Sequence, residues 1–367
     1  MSDSYGKALN IEIFGESHGA AVGAVINGIA AGVKIDEAHI AAAMDKRRAV
    51  GAISTARKEP DIVRILSGVY NGHSTGNAIC LVIDNTNTKS ADYDKTLSLL
   101  RPSHADYTSL IKYSGYADMR GGGHFSGRLT APIVAVGSIF TDMLNQYGIK
   151  IGTHLARCAG IKDDFFAFFE ADIAKQIDKL NSLSFAAISD DKALQMQDKI
   201  KLAAADGDSV GGVLETAIIG NVSGIGEPFF SSLESELSQL LFSIPAVKGI
   251  EFGSGFALSD MRGSEANDAF CMQNNDIVTK TNHNGGILGG IASGMPIILR
   301  TAIKPTPSIY KEQSTVDYTN RADAKLAIAG RHDPCVAHRA RIVQDSMCAI
   351  ALSELLTRAY GAKWQEG

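Results

Sequence analysis

The stretch Arg120-Gly121-Gly122-Gly123-His124-Phe125-Ser126-Gly127-Arg128, running on into Thr130-Ala131-Pro132, joins a polar glycine loop to an apolar helix. Three successive glycines lose too much backbone entropy to sit inside a regular element, yet they turn freely through positive φ. They also bring bare N–H groups close to a ligand. Two arginines and a serine bracket them, and guanidinium and hydroxyl donors suit phosphate oxygens. Thr130, Ala131 and Pro132 read as the cap and first turn of a helix reaching about Gln146, whose positive dipole end adds to the same place. The loop is therefore an expected anion site.

Outward from that loop, composition narrows the class. At 367 residues the chain can bury a sizeable core, and 45% hydrophobic with 20% charged residues is globular composition. A net charge of −5 argues against a nucleic-acid binder, whose footprint is basic. Lys46, Arg47, Arg48, Arg57, Lys58 and Arg64 nevertheless bunch together, as suits a small polyanion. Cys80, Cys158, Cys271, Cys335 and Cys348 are odd in number and form no CxxC, so neither a disulfide framework nor a metal site is expected. The start of the chain lacks a signal-peptide core, and no apolar run is long enough to span a bilayer. A cytoplasmic protein with no membrane partner is expected.

In chain order, Ile11–Phe14 reads as a strand delivering Gly15-Glu16-Ser17-His18-Gly19, and Val22, Ala24 and Ile26 alternate as a second strand. Asp36 caps a helix in which Ile40, Ala43, Met44 and Arg47 share a face. Strands follow near 62–66 and 79–83, with Pro60-Asp61 as punctuation. The loop Arg101-Pro102-Ser103-His104-Ala105-Asp106-Tyr107 carries a histidine suited to proton transfer near neutrality. Phe165, Phe166, Phe169, Ile173, Ile177 and Leu180 mark an amphipathic helix with core aromatics. Further helices are expected at 190–205 and 229–242, and a strand at 210–219.

A second cluster, Asn282-His283-Asn284-Gly285-Gly286-Ile287-Leu288-Gly289-Gly290, fits neither the Rossmann fingerprint nor Walker A. A strand over 297–303 leads into Lys304-Pro305-Thr306-Pro307-Ser308, a stiff loop presenting an ammonium and two hydroxyls. In Arg331-His332-Asp333-Pro334-Cys335, Asp333 and Pro334 read as N-cap and first residue of a long apolar helix ending near Tyr360.

Gly15-Glu16-Ser17-His18-Gly19, the Gly-Gly-Gly-x-x-Ser-Gly-Arg loop and Arg331-His332-Asp333-Pro334-Cys335 resemble the three signatures of the chorismate synthase family. The Arg-Pro-x-His-Ala-Asp-Tyr loop, the paired glycines and Lys-Pro-x-x-Ser are similar to that family too, in its order, from about residue 6 to 355. The resemblance implies an α+β fold, a β-α-β sandwich with helices between antiparallel sheets. It implies one domain over 1–367, with 160–206 as a peripheral helical insertion. The implied reaction is 1,4-elimination of phosphate from 5-enolpyruvylshikimate 3-phosphate to give chorismate, by a homotetramer that requires reduced FMN without net redox change.

Carried over by position, the resemblance implies His18 and His104 as proton-handling groups and Asp333 as the acid–base group working through the flavin. Arg47, Arg48, Ser17 and Arg128 would hold the substrate's anionic groups. His124, Phe125, Ser126, Ala246, Gly289, Lys304, Pro305, Thr306, Pro307, Ser308 and Arg331 would contact FMN. The chain departs from the family pattern at Ala49-Val50, where Pro-Gly is usual, and at His124-Phe125, where Arg-Ser is commoner. An FMN-binding paralogue without turnover is the alternative these departures raise. No NADP fingerprint is visible, so an external flavin reductase is the expected source of electrons.

Overall fold

The computed structural model describes residues 3–48, 51–54, 60–86, 98–328 and 332–366. Two five-stranded sheets organise it, and every strand pairing among the described residues is antiparallel. In the first sheet Ala21–Asn27 is central, flanked by Asn10–Gly15 and Ile79–Asp84, with Ser4–Tyr5 and Val63–Ser67 at the edges. Val22, Ala24 and Ile26 stand opposite Ile83, Leu81 and Ile79, and all six are buried on one face. Strict alternation fixes that face, because a slip of one residue would turn the whole set outward.

In the second sheet Gly212–Ile219 lies between Lys150–Cys158 and Ile297–Ile303, with Ile161–Lys162 and Val247–Phe252 outside them. The helices are α1 (Glu37–Arg47), α2 (Asp106–Lys112), α3 (Thr130–Gln146), α4 (Glu170–Ser182), α5 (Asp190–Ala205), α6 (Leu233–Ser243), the single turn α7 (Gly263–Ala266) and α8 (Ala337–Tyr360). Helix α3 packs on Ala21–Asn27 and Ile79–Asp84 of the first sheet, α8 on Lys150–Cys158 and Gly212–Ile219 of the second, and α3 and α8 pack on each other. The fold is thus an α+β sandwich with helices between two antiparallel sheets. Both helices are buried around nearly their whole circumference; α3 is apolar nearly throughout, whereas α8 buries Arg341, Gln344, Asp345 and Glu354, each held by hydrogen bonds. A Cβ on Gly137 of α3 would lie 2.2 Å from Ser346 Cβ of α8, so only glycine permits this approach.

The outer face of the second sheet carries what the sequence did not announce. His154, Glu215, Arg300 and Glu251 stand side by side on four adjacent strands, alternating in charge. His154 is fully buried with its two ring nitrogens each 3.0 Å from a carboxylate, of Asp163 and Glu215. Buried unpaired charge is costly, so complementary rows of this kind come as a set. Helix α4 covers the same face through Ile173 and Ile177.

Three expectations shift. Helix α4 begins only at Glu170, leaving Phe165 and Phe169 exposed ahead of it instead of in the core. Helix α6 begins at Leu233, capped by Ser232, and Phe229 and Phe230 are exposed outside it. Helix α8 begins at Ala337 after Val336, so Asp333 is not its cap. No side chain caps its first turn. No helix among the described residues is long and apolar enough to cross a membrane.

Candidate active site

The glycine loop folds as three successive positive-φ residues, Gly121 (61°), Gly122 (93°) and Gly123 (54°). A Cβ on Gly121 would fall 2.2 Å from the His18 ring and 2.9 Å from Ser17 Oγ. Glycine is required here for close approach as well as for its dihedral. The Ser17 amide donates to the Gly123 carbonyl at 3.1 Å, fastening the His18 turn to the loop. Beyond the glycines, Ser126 Oγ accepts from the Arg128 amide, capping the turn that leads into α3. His124 donates through Nδ1 to the Gly15 carbonyl at 2.8 Å, and Phe125 stacks at a tilt on Tyr113.

Arg47 and Arg128, expected on the substrate, meet on one carboxylate inside the protein. Asp61 accepts from Arg47 Nη1 at 2.8 Å through one oxygen and from Arg128 Nη1 through the other. Arg47 also donates to Thr130 Oγ1 (3.0 Å) and the Gly127 carbonyl (2.9 Å), and Arg128 Nε to Asn85 Oδ1 (2.9 Å). Asp61, read as turn punctuation, is only 6% exposed. An arginine on the apolar stripe of α1 was the available signal, since a buried guanidinium demands a buried anion. Arg48 lies at the surface against Asp45 and the Pro60 carbonyl.

The His104 loop and the Lys304–Ser308 loop interlock. His104 Nδ1 lies 3.1 Å from the Pro102 carbonyl, which can only accept, so Nδ1 carries the proton. Nε2 then faces the Ser308 hydroxyl at 2.8 Å as an acceptor. Burial pushes the His104 imidazole down to about 4, and the neighbouring Arg101 pushes in the same direction. Arg101 is itself locked to Asp106, with Nε at 2.8 Å and Nη2 at 2.6 Å. Lys304 Nζ reaches the Ser103 carbonyl at 2.7 Å and its amide reaches the Ala246 carbonyl. Burial, and then Lys248 nearby, lower the Lys304 ammonium below its usual range.

Asp333 pairs with Arg339 of α8 at 2.6 Å, and Arg339 Nε donates to the Arg47 carbonyl at 3.1 Å. Burial lowers the neighbouring His332 below its ordinary range, and the Arg101 charge acts in the same direction. Contacts run from the glycine loop through Arg47 and Arg339 to Asp333, and a second set joins Arg101, His104, Ser308 and Lys304. Gly289 stands apart from them. It is exposed in the turn of a short hairpin whose Gly290 carbonyl caps the start of α6, whereas Ala246 follows the other end of that helix. Eleven residues of helix, about 16 Å, separate the two. Arg331 lies outside the described residues.

The family model of chorismate synthase matches residues 9–357. The chain belongs to the chorismate synthase family. A chorismate synthase of Dehalococcoides mccartyi strain BAV1 is 44% identical over 363 residues, covering 98% of each chain. That of Pyrococcus abyssi is 41% identical over 354 residues, covering 96% of each. A solved crystal structure of chorismate synthase superposes with a TM-score of 0.77 at 26% identity, over 97% of this chain and 94% of that one. Members of the family depend on reduced FMN, and the Lys304 loop suits a flavin phosphate. Thr306 Oγ1 is buried there with no hydrogen-bond partner, midway between the Lys304 ammonium and the Ser308 hydroxyl in sequence. Lys248 adds a second positive charge, which an arriving phosphate would offset.

Proposed function

We propose that the chain is an active chorismate synthase, removing phosphate and a ring proton from 5-enolpyruvylshikimate 3-phosphate by 1,4-elimination to give chorismate. The observation that carries this reading is the docking of a neutral, half-buried His104 onto a loop of cationic and hydroxyl donors. Lys304, Thr306 and Ser308 would hold the FMN phosphate between Pro305 and Pro307, with Ala246, His124, Phe125 and Ser126 also facing the flavin. Reduced FMN, when bound, supplies an electron-rich ring that side chains cannot imitate.

The residues of the chain do the rest. His104 waits neutral, and a phosphate dianion beside Nε2 favours its protonated form, from which it gives a proton to the leaving group. His18, seated on Gly121 beside Ser17, holds a second proton. Asp333 accepts or returns a proton at the carboxylate oxygen. Arg48 faces the substrate's carboxylates, while Arg47 and Arg128 act through Asp61 to fix the loop beneath them. The whole chain works as one catalytic domain, with 160–206 as a peripheral addition. A cytoplasmic homotetramer fed by an external flavin reductase is the setting this reading implies.

Protein reduced with dithionite, mixed with FMN and the enolpyruvyl substrate, is expected to release inorganic phosphate together with chorismate. Flavin binding without phosphate release would instead identify a paralogue without turnover, which no observation favours.

A further inference from the structure

Arg339 occupies the first turn of α8, where a cation opposes the positive end of the helix dipole. A local conflict of this kind persists when something nearby compensates it. The compensation here is Asp333, whose Oδ2 lies 2.6 Å from Arg339 Nη1, with both side chains mostly withdrawn from water at 19% and 15% exposure. The same guanidinium donates through Nε to the carbonyl of Arg47, the last residue of α1, at 3.1 Å. That carbonyl is one of the helix-end acceptors that α1 itself leaves unsatisfied. Arg47 in turn binds the Gly127 carbonyl, Thr130 and Asp61. One planar fork therefore spans the Asp333 segment and the end of α1. A lysine, with a single nitrogen, cannot reproduce both directions.

We propose that Arg339 is the positioning residue for Asp333, setting the orientation of its carboxylate relative to the glycine loop by anchoring it to the end of α1. The proposal rests on the reading of Asp333 as an acid–base group. Arg339 touches neither substrate nor flavin in this account and acts through the carboxylate it holds. Among the described residues, His338 on the same helix turn and His332 and Cys335 on the Asp333 segment are titratable groups that feel the Asp333 charge.

The test is a double-mutant cycle in the full chain with reduced FMN saturating. Arg339→Gln is expected to lower kcat by up to roughly 10²-fold, the cost of misplacing a catalytic group by about 1 Å. The KM for the phosphorylated substrate and the FMN dissociation constant should move by less than about threefold, because binding groups are untouched. Arg339→Lys, which keeps the charge at Asp333, should recover part of the loss. In an Asp333→Asn background Arg339→Gln should cost nothing further, since its target is already gone. An unchanged kcat in Arg339→Gln, or the same fractional loss with and without Asp333, overturns the proposal. Normal turnover in Asp333→Asn alone overturns the reading of Asp333 first and the proposal with it. Should Arg339→Gln fail to fold, the same cycle is run with Arg339→Lys, whose smaller kcat loss must likewise vanish in the Asp333→Asn background.

Discussion

His104 and Ser308, 204 positions apart in the chain, meet at 2.8 Å between Nε2 and Oγ. The hydroxyl fills the site on the imidazole that a phosphate oxygen would take. Burial, and then Arg101, hold His104 at about 4 against an ordinary 6.5 in the ligand-free protein. Titration of the His104 ring by NMR should show it neutral at pH 6 when free and protonated once the phosphorylated substrate is bound. An identical titration in both states would remove His104 as the acid for the leaving group.

Lys304→Ala should weaken FMN binding about ten- to a hundredfold, the worth of a charge-assisted hydrogen bond to phosphate. Turnover at saturating FMN should fall far less. Lys304 makes an exposed contact to the Ser103 carbonyl, so the melting temperature should barely move. Calorimetric titration measures the affinity, and an unchanged dissociation constant would take Lys304 out of the phosphate site.

Asp333→Asn is expected to fold and bind FMN yet lose turnover by at least ~10²-fold, as removal of a general acid or base does. Helix α8 starts at Ala337, so the substitution costs no N-cap. Its structural cost is the pairing with Arg339, which unfolding in urea would register. Near-normal turnover with lowered stability would show Asp333 to be a structural anion only.

Asp61→Asn should destabilise the protein by about 3–5 kcal/mol, because it leaves two buried guanidiniums facing a neutral amide. Denaturant unfolding reads this directly. A loss below about 1 kcal/mol would mean that water already reaches the Arg47–Asp61–Arg128 cluster.

Acid should destabilise the fold before its carboxylates titrate. Burial lowers both His104 and His338 to about 4, so between pH 6.5 and 4 the unfolded chain binds protons that the folded chain refuses. Stability is therefore full above pH 6.5 and lost as pH falls through that window. His338, held by the Ser54 hydroxyl at 3.0 Å, should flatten the acid limb when changed to Gln. His154 works in the opposite sense. Its two carboxylate partners raise it above the usual range, despite the burial that opposes them. Its contribution is present below its unfolded pKa and fades only as pH rises through the folded one. Melting temperatures from pH 4 to 9 for His338→Gln and His154→Gln should separate the two signs. An acid limb unaltered by His338→Gln would assign the effect elsewhere.

Much of the framework was legible in the chain because it depends on neighbours a few residues away. The periodicity of Ile40, Ala43, Met44 and Arg47 named the face of α1 that is buried, and the extents read for α5 and for the Ile297–Ile303 strand are those observed. Backbone hydrogen bonding and one-sided burial repeat every few residues, so sequence spacing carries them. The ordered motifs carried the family in the same way. What the chain did not reveal is where each charge finds its partner. Arg47 looked free to bind substrate and is committed to Asp61, Asp333 looked like a helix cap and is paired with Arg339, and the His154–Glu215–Arg300–Glu251 row left no trace in any local pattern. The row needs the lateral pairing of four strands in the second sheet, the Arg47–Asp61–Arg128 cluster needs α1 and two loops to meet, and the Asp333–Arg339 pair needs the turn ahead of α8, and no local spacing encodes any of the three.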